Sequence, residues 1–455
     1  FVKSIHDRAA LGRLHERLGQ LRFLDPACGC GNFLIVAYRE LRALELEILV
    51  RRQELSKKRS QTALVLDEDE TVKVRMPHFH GIELEEWPAT IARTAMFLVN
   101  HQANQDMSLK IGISPEQLPL SESAHIVVGN ALELDWNSVL PASEDVRVMG
   151  NPPFIGARLM TAEQKAETNA LWPRGKAGLL DYCAGWYAKA AAYLADTEQA
   201  SFAFVTTNSI TQGQQVAALF SDLLEDGWTV LFAHRTFTWT SEAANAAAVH
   251  CVIVGMVKER RSSRPLFSYR AGAGTPEMQP VSRINPYLVE GPDVFVQPRS
   301  KPLSTDLPGA VFGSMANDGG NLLLDTEGHA TALADARASK YVRRFVGARE
   351  LIHDLDRWCL WLVDVDADDV ARSPFLRERI ERNREYRAAS KRAATRKLAA
   401  TPHLFGERRA PSQAYLCIPR HVSENRAFFT AARFDPEVIA GDANFVVPDE
   451  DGLAF

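Results

Sequence analysis

Leu21-Arg22-Phe23-Leu24-Asp25-Pro26-Ala27-Cys28-Gly29-Cys30-Gly31-Asn32-Phe33-Leu34 is the stretch that decides the fold. Its first five residues are a short strand ending on an acid. A tight turn with two glycines follows, and a long run with helical apolar spacing starts at Phe33. Glycine admits positive φ and lets a ligand come close to the backbone, so strand, Gly-x-Gly turn and helix together open a nucleoside-binding α/β unit. The third glycine of Gly-x-Gly-x-x-Gly is absent, because position 34 is Leu, and a pyrophosphate site is therefore disfavoured. S-adenosylmethionine (SAM) has no phosphate. Its ammonium suits the Asp25 carboxylate, and its carboxylate suits the free backbone N–H groups of the turn, where Pro26, Ala27, Gly29 and Gly31 are the candidate cofactor-binding residues. Cys28 and Cys30 read as small packing residues, since nothing nearby completes a metal set.

Three further strand ends carry candidate chemistry. His80-Gly81-Ile82-Glu83 again ends on an acid, and Glu83 is placed to accept both hydroxyls of a ribose. Glu85 and Glu86 read as helix N-terminal charges. A metal role for His78 and His80 is disfavoured. Val128-Gly129-Asn130 sets Asn130 either against an adenine edge or simply in a turn. The fourth, Val146-Arg147-Val148-Met149-Gly150-Asn151-Pro152-Pro153-Phe154, bears on the reaction. Prolines have no amide N–H, so their carbonyls are less easily tied into a ladder. The Asn151 side-chain oxygen and the Pro152 carbonyl can then accept from one exocyclic amine, and Phe154 can stack on the base, with Pro153 beside it.

Seven strand-like runs precede Lys258: Leu21–Asp25, His80–Glu83, His125–Val128, Val146–Met149, Ser201–Thr206, Val230–His234 and Val249–Val257. Helical patterns cover Phe33–Gln53, Pro88–Gln102, Asp181–Leu194 and Gln214–Leu224. The alternation predicts an α/β fold, a parallel-dominated sheet with helices on both faces. Asp67–Glu70 reads as an exposed acidic insertion. After Lys258, Gly and Pro become frequent and the pattern breaks. The expected organisation is an α/β domain over 1–262, a connector over 263–340, and a second, α+β domain over 341–455 that is cut short.

The 455 residues are 46% hydrophobic and 24% charged, which excludes a disordered or collagen-like chain. No run of ~18 apolar residues offers a membrane span. The six cysteines form no Cys-x-x-Cys pair, so neither zinc site nor disulfide framework is expected, and a reducing compartment is the default. The chain begins with Phe1, which suggests a piece of a longer protein. Net charge is −5, yet Arg377–Arg409 holds 11 Lys/Arg against 4 Asp/Glu, a local +7 that leaves −12 on the rest. Such a segment, with Arg377, Arg384, Lys391 and Arg392 as candidate contacts, is expected either to meet a polyanion or to form a solvated helix face.

Asp-Pro-Ala-Cys-Gly-Cys-Gly-Asn-Phe followed later by Asn-Pro-Pro-Phe resembles the gamma-class DNA methyltransferases that make N6-methyladenine. The resemblance extends to the MmeI-like (type IIL) fused restriction-modification enzymes, through Tyr38–Arg42, Phe204–Ile210, Phe237–Ala243, Arg344–Glu350 and Arg357–Trp361. It implies a class I, Rossmann-like methyltransferase sheet followed by a target-recognition domain, acting on double-stranded DNA in a prokaryotic cytoplasm. By the resemblance, SAM would be held by Asp25, Gly29, Gly31, Glu83 and Asn130, and the flipped adenine by Asn151, Pro152 and Phe154, with Phe237 as a second face. Many related enzymes carry Asp where Asn130 stands. The family's nuclease would precede residue 1, as would a segment that helps close the cofactor pocket. Glu163-Gln164-Lys165 fits a nuclease Glu-x-Lys but lacks a Pro-Asp strand before it, and reads as surface charge. Without a Pro-Cys dipeptide, a cytosine-C5 enzyme is disfavoured. Two alternatives remain: methylation of an RNA base or a protein glutamine amide, and a non-catalytic DNA-recognition module.

Overall fold

The computed structural model describes residues 2–57, 72–112, 123–172, 176–239, 249–270, 275–297, 299, 301, 304–422, 426 and 428–449. The acidic run Asp67–Glu70 and residues 240–243 lie outside them. The chain divides into two compact units, Phe1–Pro298 and Arg299–Phe455.

In chain order the first unit contains α1 (Arg8–Gln20), β1 (Arg22–Asp25), α2 (Asn32–Lys57), β2 (Phe79–Glu83), α3 (Glu86–Ile111), β3 (His125–Val128), β4 (Val146–Gly150), α4 (Ala162–Leu171), α5 (Ala184–Tyr193), β5 (Ser201–Thr207), α6 (Gly213–Glu225), β6 (Thr229–Trp239), β7 (Val249–Val257), β8 (Arg264–Ser268) and β9 (Glu277–Val281). The strands form one sheet in the order β3-β2-β1-β4-β5-β7-β6-β8-β9. Neighbours from β3 to β5 are parallel, and β7 runs antiparallel to both β5 and β6. Successive residues of a strand point to opposite faces. Phe23 and Phe79 stack at 4.9 Å and pack with Leu11, Leu34 and Ala92 of α1–α3. Leu24, Ile82 and Val148 point the other way, into a core with Trp186 of α5 and Leu219 of α6. Helices therefore cover both faces, as a parallel sheet requires.

On the α1–α3 face, a polar node is buried among the helices. Glu45, fully buried, accepts from the Lys73 and Val74 N–H groups at 2.6 and 3.1 Å and pairs with His15 at 3.0 Å and Arg42 at 3.3 Å. It fixes α1, α2 and the approach to β2 in one register.

The chain leaves β1 toward β2 and β3, then returns to place β4 on the other side of β1. The connections diverge there and open a crevice outside the carboxyl ends of the two strands. Asp25 and Asn151 both fall at that point.

The connector expected over 263–340 is shared between the units. Arg264–Ser268 lies parallel to β6, and Glu277–Val281 pairs back onto it as the sheet edge. Four of the five β9 residues are exposed, so no apolar alternation marks the strand. Ala316, Leu322, Leu324, Ala332 and Ala338 belong to the core of the second unit.

That unit is α+β. It contains β10 (Val311–Phe312), β11 (Leu323–Leu324), α7 (Thr326–Ala334), β12 (Val342–Val346), α8 (Ala348–His353), β13 (Trp358–Leu360), α9 (Ala367–Arg372), α10 (Pro374–Ala388), α11 (Ala393–Lys397), β14 (Tyr415–Pro419), β15 (Ala432–Phe434), β16 (Ile439–Ala440) and β17 (Asn444–Pro448). Two four-stranded sheets result, β10-β17-β14-β15 and β11-β13-β12-β16. One core gathers Leu324, Phe345, Leu360, Leu376 and Phe405, and a smaller one gathers Tyr415, Cys417 and Val446. No helix among the described residues is long and apolar enough to cross a membrane.

Candidate functional site

The turn after β1 is held by its own acid. The Ala27 N–H donates to Asp25 Oδ1 at 3.0 Å, while Asp25 Oδ2 is buried and has no partner among the described residues. Gly29 and Gly31 stand at φ +53 and +86, conformations that side chains rarely adopt. At Gly31 a Cβ would also meet Ala92 Cβ at 3.0 Å, so glycine here lets α3 pack against the turn. At Gly29 a Cβ would meet nothing, so that side of the turn is open. The Pro26 carbonyl accepts from Trp186 Nε1 at 3.0 Å, which ties the turn to α5. Cys28 packs against Gly81, Cys30 is exposed, and both are free thiols.

Glu83 ends β2 beside that turn. Its Oε2 accepts from the Gly29 N–H at 2.9 Å and its Oε1 from the Glu85 N–H at 3.1 Å. Two backbone donors orient the carboxylate, and each oxygen keeps a lone pair for a hydroxyl. Burial, with a further push from Glu83, raises the Asp25 carboxyl from its ordinary value to about 7, against the pull of the Ala27 N–H. A cationic group at Oδ2 would restore its charge.

β4 brings the second motif to the same place. A Cβ on Gly150 would sit 2.6 Å from Asp25 Oδ1, so the two strand ends touch through the missing side chain. Beyond it, Asn151 Oδ1 is buried without a partner, Pro152 is buried, Pro153 is exposed and Phe154 is partly exposed. The loop is pinned downstream. The Tyr182 N–H donates to the Ile155 carbonyl at 2.9 Å, and the Ala157 N–H donates to Asp181 Oδ1 at 3.1 Å. Asp181 also accepts from Thr207 Oγ1 at 3.4 Å. Spacing alone places Asp181 at the start of a helix and misses this positioning role; an acid just ahead of an apolar helix is the available signal.

Asn130 follows β3 and is tied at both ends of its amide. Its Oδ1 accepts from the Leu132 N–H at 3.0 Å, and its Nδ2 donates to Glu167 Oε1 at 2.7 Å. Tyr182 OH donates to the other Glu167 oxygen at 2.5 Å. Asn130 thus stands in a turn and, through Glu167 of α4, next to a carboxylate that no sequence motif singles out. Phe237 lies on β6, three strands from β4, or roughly 14 Å at ordinary strand spacing. Its ring neighbours Tyr269 at 5.0 Å and Trp239 at 6.2 Å. His80 packs edge-on to His125, and burial lowers its proton affinity to about 4. Among the described residues no group of His, Cys, Asp and Glu is arranged to hold a metal ion.

In the second unit, the basic segment is not a uniform solvated run. Arg387 is fully buried and donates to five carbonyls, those of Asn317, Leu398, Thr401, Ala316 and Leu404. Arg379 reaches the carbonyls of Gly320 and Asn321 at 3.2 Å. Arg377 donates to the Ala371 carbonyl, Arg382 pairs with Glu378, and Arg384 pairs with Glu381. Lys391 and Arg392 are exposed and have neither hydrogen bond nor ion pair through their side chains among the described residues. Of the four named candidates, Arg384 is ion-paired, Arg377 meets a neutral carbonyl, and the side chains of Lys391 and Arg392 bond to none of the described residues.

Comparison with known proteins bears on both units. Residues 1–268 match the family profile "MmeI, DNA-methyltransferase domain", and residues 290–455 match "MmeI, target recognition domain". DNA methyltransferase A of Bacillus subtilis (strain 168) is 35% identical over 457 aligned positions, covering 99% of this chain and 50% of that protein. The chain thus spans about half the length of the curated relative it matches. The solved structure of the Type IIL restriction-modification enzyme MmeI in complex with DNA is similar with a TM-score of 0.83 and 39% identity, over 99% of this chain and 60% of that one.

Proposed function

The chain belongs to the MmeI family, with a DNA-methyltransferase domain and a target-recognition domain, and from that premise we propose that it methylates the N6 amine of an adenine flipped out of double-stranded DNA, with SAM as donor. Full-length, it would act in the prokaryotic cytoplasm, at the nucleoid, as part of a restriction-modification protein whose nuclease lies in the same polypeptide. The observation that carries the reading is the pair of orphaned buried oxygens, Asp25 Oδ2 and Asn151 Oδ1, on neighbouring strand ends at the switch point.

The residues fit the cofactor. Asp25 Oδ2 would take the ammonium, the open face of Gly29 would admit the methionine part, and Glu83 would take the ribose hydroxyls. Glu167, held by Asn130 and Tyr182, would accept from the cofactor's adenine amine. SAM supplies an already activated methyl group on a sulfonium, so neither a metal nor a covalent enzyme intermediate is required. The protein's own work is orientation and the exclusion of water. Asn151 Oδ1 and the Pro152 carbonyl accept both hydrogens of the adenine amine, which aims the nitrogen lone pair along the transfer line. Phe154 stacks on the extruded ring, Pro153 closes beside it, and Phe237 offers a second aromatic face. Extrusion of a base costs a few kcal/mol, which these contacts offset. Lys391 and Arg392 contact phosphate, with Arg377 and Arg384 of α10 beside them, while base readout comes from the recognition domain.

Single-turnover methyl transfer to duplex DNA by the full-length protein tests this, with the product digested to nucleosides. N6-methyldeoxyadenosine is expected. Asn151→Ala should raise the barrier by ~2.7–4 kcal/mol, the scale for losing one aligned transition-state donor or acceptor, and slow transfer by roughly 100- to 1000-fold with SAM binding retained. Phe154→Ala should weaken holding of the flipped base by ~1–3 kcal/mol. Methylcytosine as product, or a parental rate in Asn151→Ala, would overturn the assignment.

A further inference from the structure

A second recess lies at the other edge of the first unit's sheet. β6 and β8 are parallel, and β5 and β6 each run antiparallel to β7, so β4, β5, β6 and β8 share one direction. Asn151 follows the carboxyl end of β4. The recess instead gathers around Thr229 and Arg264, the first residues of β6 and β8, and so lies opposite the methyl-transfer cleft. Its volume is about 330 Å³, at the small end of ligand pockets.

Four arginines and one acid line it: Arg260, Arg261, Arg264, Arg283 and Asp293. Asp293 is already paired with Arg283, and Arg261 is paired with Glu259 at 2.9 Å. Arg260 has neither hydrogen bond nor ion pair through its side chain among the described residues. Arg264 is 6% exposed. One of its terminal nitrogens donates to the Val230 carbonyl at 2.5 Å, but its Nε is buried with no acceptor among the described residues. Burial and the neighbouring Arg283 both work against its charge. A buried guanidinium N–H without a partner is a penalty that an acceptor in the recess would remove.

We propose that this recess binds a phosphate-class oxyanion, met by Arg264 Nε and by the Arg260 guanidinium. Its unmet hydrogen-bonding groups are donors and its charge is positive, which disfavours neutral and cationic ligands. The guanidinium groups come from the segment before β8, from β8 itself and from the residues after β9. Guanidinium forks suit an anion that presents several oxygens at once, as phosphate does. Such a phosphate could be free or part of a nucleic-acid backbone, and the test separates these sources.

The full-length protein would be titrated calorimetrically with inorganic pyrophosphate, with and without a short DNA duplex as competitor. Saturable binding is expected. Arg260→Met should weaken it about tenfold or more, as for loss of a charge-assisted hydrogen bond. Arg264→Met should do the same, and SAM affinity should be unchanged in both. Arg264 also bonds Val230, so that variant could fail to fold; the Arg260 side chain is exposed and bonded to none of the described residues, so its variant decides. Competition by the duplex in the parent but not in Arg260→Met would identify a backbone phosphate, and lack of competition would identify a free one. No saturable binding, or equal affinity in parent and Arg260→Met, overturns the proposal.

Discussion

Gly150→Ala adds one carbon where the two motifs meet, and its consequence can be worked out from distances. The new Cβ would stand 2.6 Å from Asp25 Oδ1, where ordinary contact begins near 3.4 Å, so that oxygen must retreat by about 0.8 Å. Asp25 is 1% exposed and its Oδ1 already holds the Ala27 N–H at 3.0 Å. Retreat stretches that bond beyond useful length or forces β1 away from β4, against the Leu24–Val148 register. A hydrogen bond to a charged group is worth ~1.5–3 kcal/mol, and a catalytic group displaced by about 1 Å can lose about 100-fold in function. SAM affinity should therefore fall roughly 10- to 100-fold, at ~1.4 kcal/mol per decade. Overpacking should also lower stability by ~1–3 kcal/mol. Gly255→Ala is the control, since its Cβ would crowd Phe232 at 2.4 Å on β7 and β6, away from the switch point. Calorimetric SAM titration beside thermal melts reads both effects. Parental SAM affinity in folded Gly150→Ala, or equal SAM losses in both variants, would refute the reasoning.

Three other outcomes follow from the same geometry. Asp25 is raised from its ordinary 3.8 to about 7, so the unliganded protein keeps a proton that the unfolded chain has lost, and its stability should decline as pH rises from about 4 to about 7. SAM affinity should rise over that window, because the ammonium prefers the ionised carboxylate, and Asp25→Asn should flatten the profile; titrations at several pH values between about 5.5 and 7 would show it. Glu167→Gln should weaken SAM by about tenfold, on the scale of one charge-assisted hydrogen bond, yet leave the 6-deaminated cofactor analogue unaffected; an unchanged affinity ratio for the two ligands would count against Glu167. Converting Lys391 and Arg392 to Ala should weaken binding to all DNA sequences alike and flatten the salt slope by about one unit for each phosphate no longer neutralised, whereas a change of preferred sequence at constant slope would contradict phosphate contact.

How far each unit can be read from sequence follows from what burial leaves visible. The strands of the first unit are short apolar runs because both faces of a parallel sheet are covered; His125–Val128 and Val249–Val257 have the ends that the sequence pattern predicts. Helix α4 has no such signature, since only Thr168 of its ten residues is buried and so no apolar stripe marks it. β9 is invisible for the same reason. The second unit contains strands of two and three residues, too short for a period to show. Glycine turns, strand-end acids and Asn-Pro-Pro-Phe are legible because their chemistry is local. The Asn130–Glu167 contact spans 37 residues, Asp181 meets Ala157 across 24, and the five carbonyls around Arg387 come from two segments, Ala316–Asn317 and Leu398–Leu404, so none of these follows from spacing. Arg387 shows why charge counting misleads: a guanidinium surrounded by backbone acceptors is a structural cross-link, not a surface charge.

Orphaned buried atoms can also separate function from structure. Asn383 and Asn444 each have an unpartnered Oδ1, as Asn151 does. Yet Asn383 Nδ2 donates to the Pro402 carbonyl at 2.6 Å and Asn444 Nδ2 to the Val346 carbonyl at 2.8 Å, so each amide holds two chain segments together. The Asn151 side chain makes no hydrogen bond among the described residues, and an apolar side chain of similar size would sacrifice none. Leaving such an acceptor buried costs ~1–3 kcal/mol, and Asp25 Oδ2, on the adjoining strand end, carries a comparable penalty. Two penalties at one switch point, neither offset within the described fold, would on the proposed function be offset by ligands that bring N–H donors to both: an ammonium at Asp25 and an amine at Asn151. Each ligand then relieves a penalty that the fold alone carries, so binding should stabilise the protein as well as align the reaction, by ~2.7 kcal/mol at a ligand concentration of about 100 Kd.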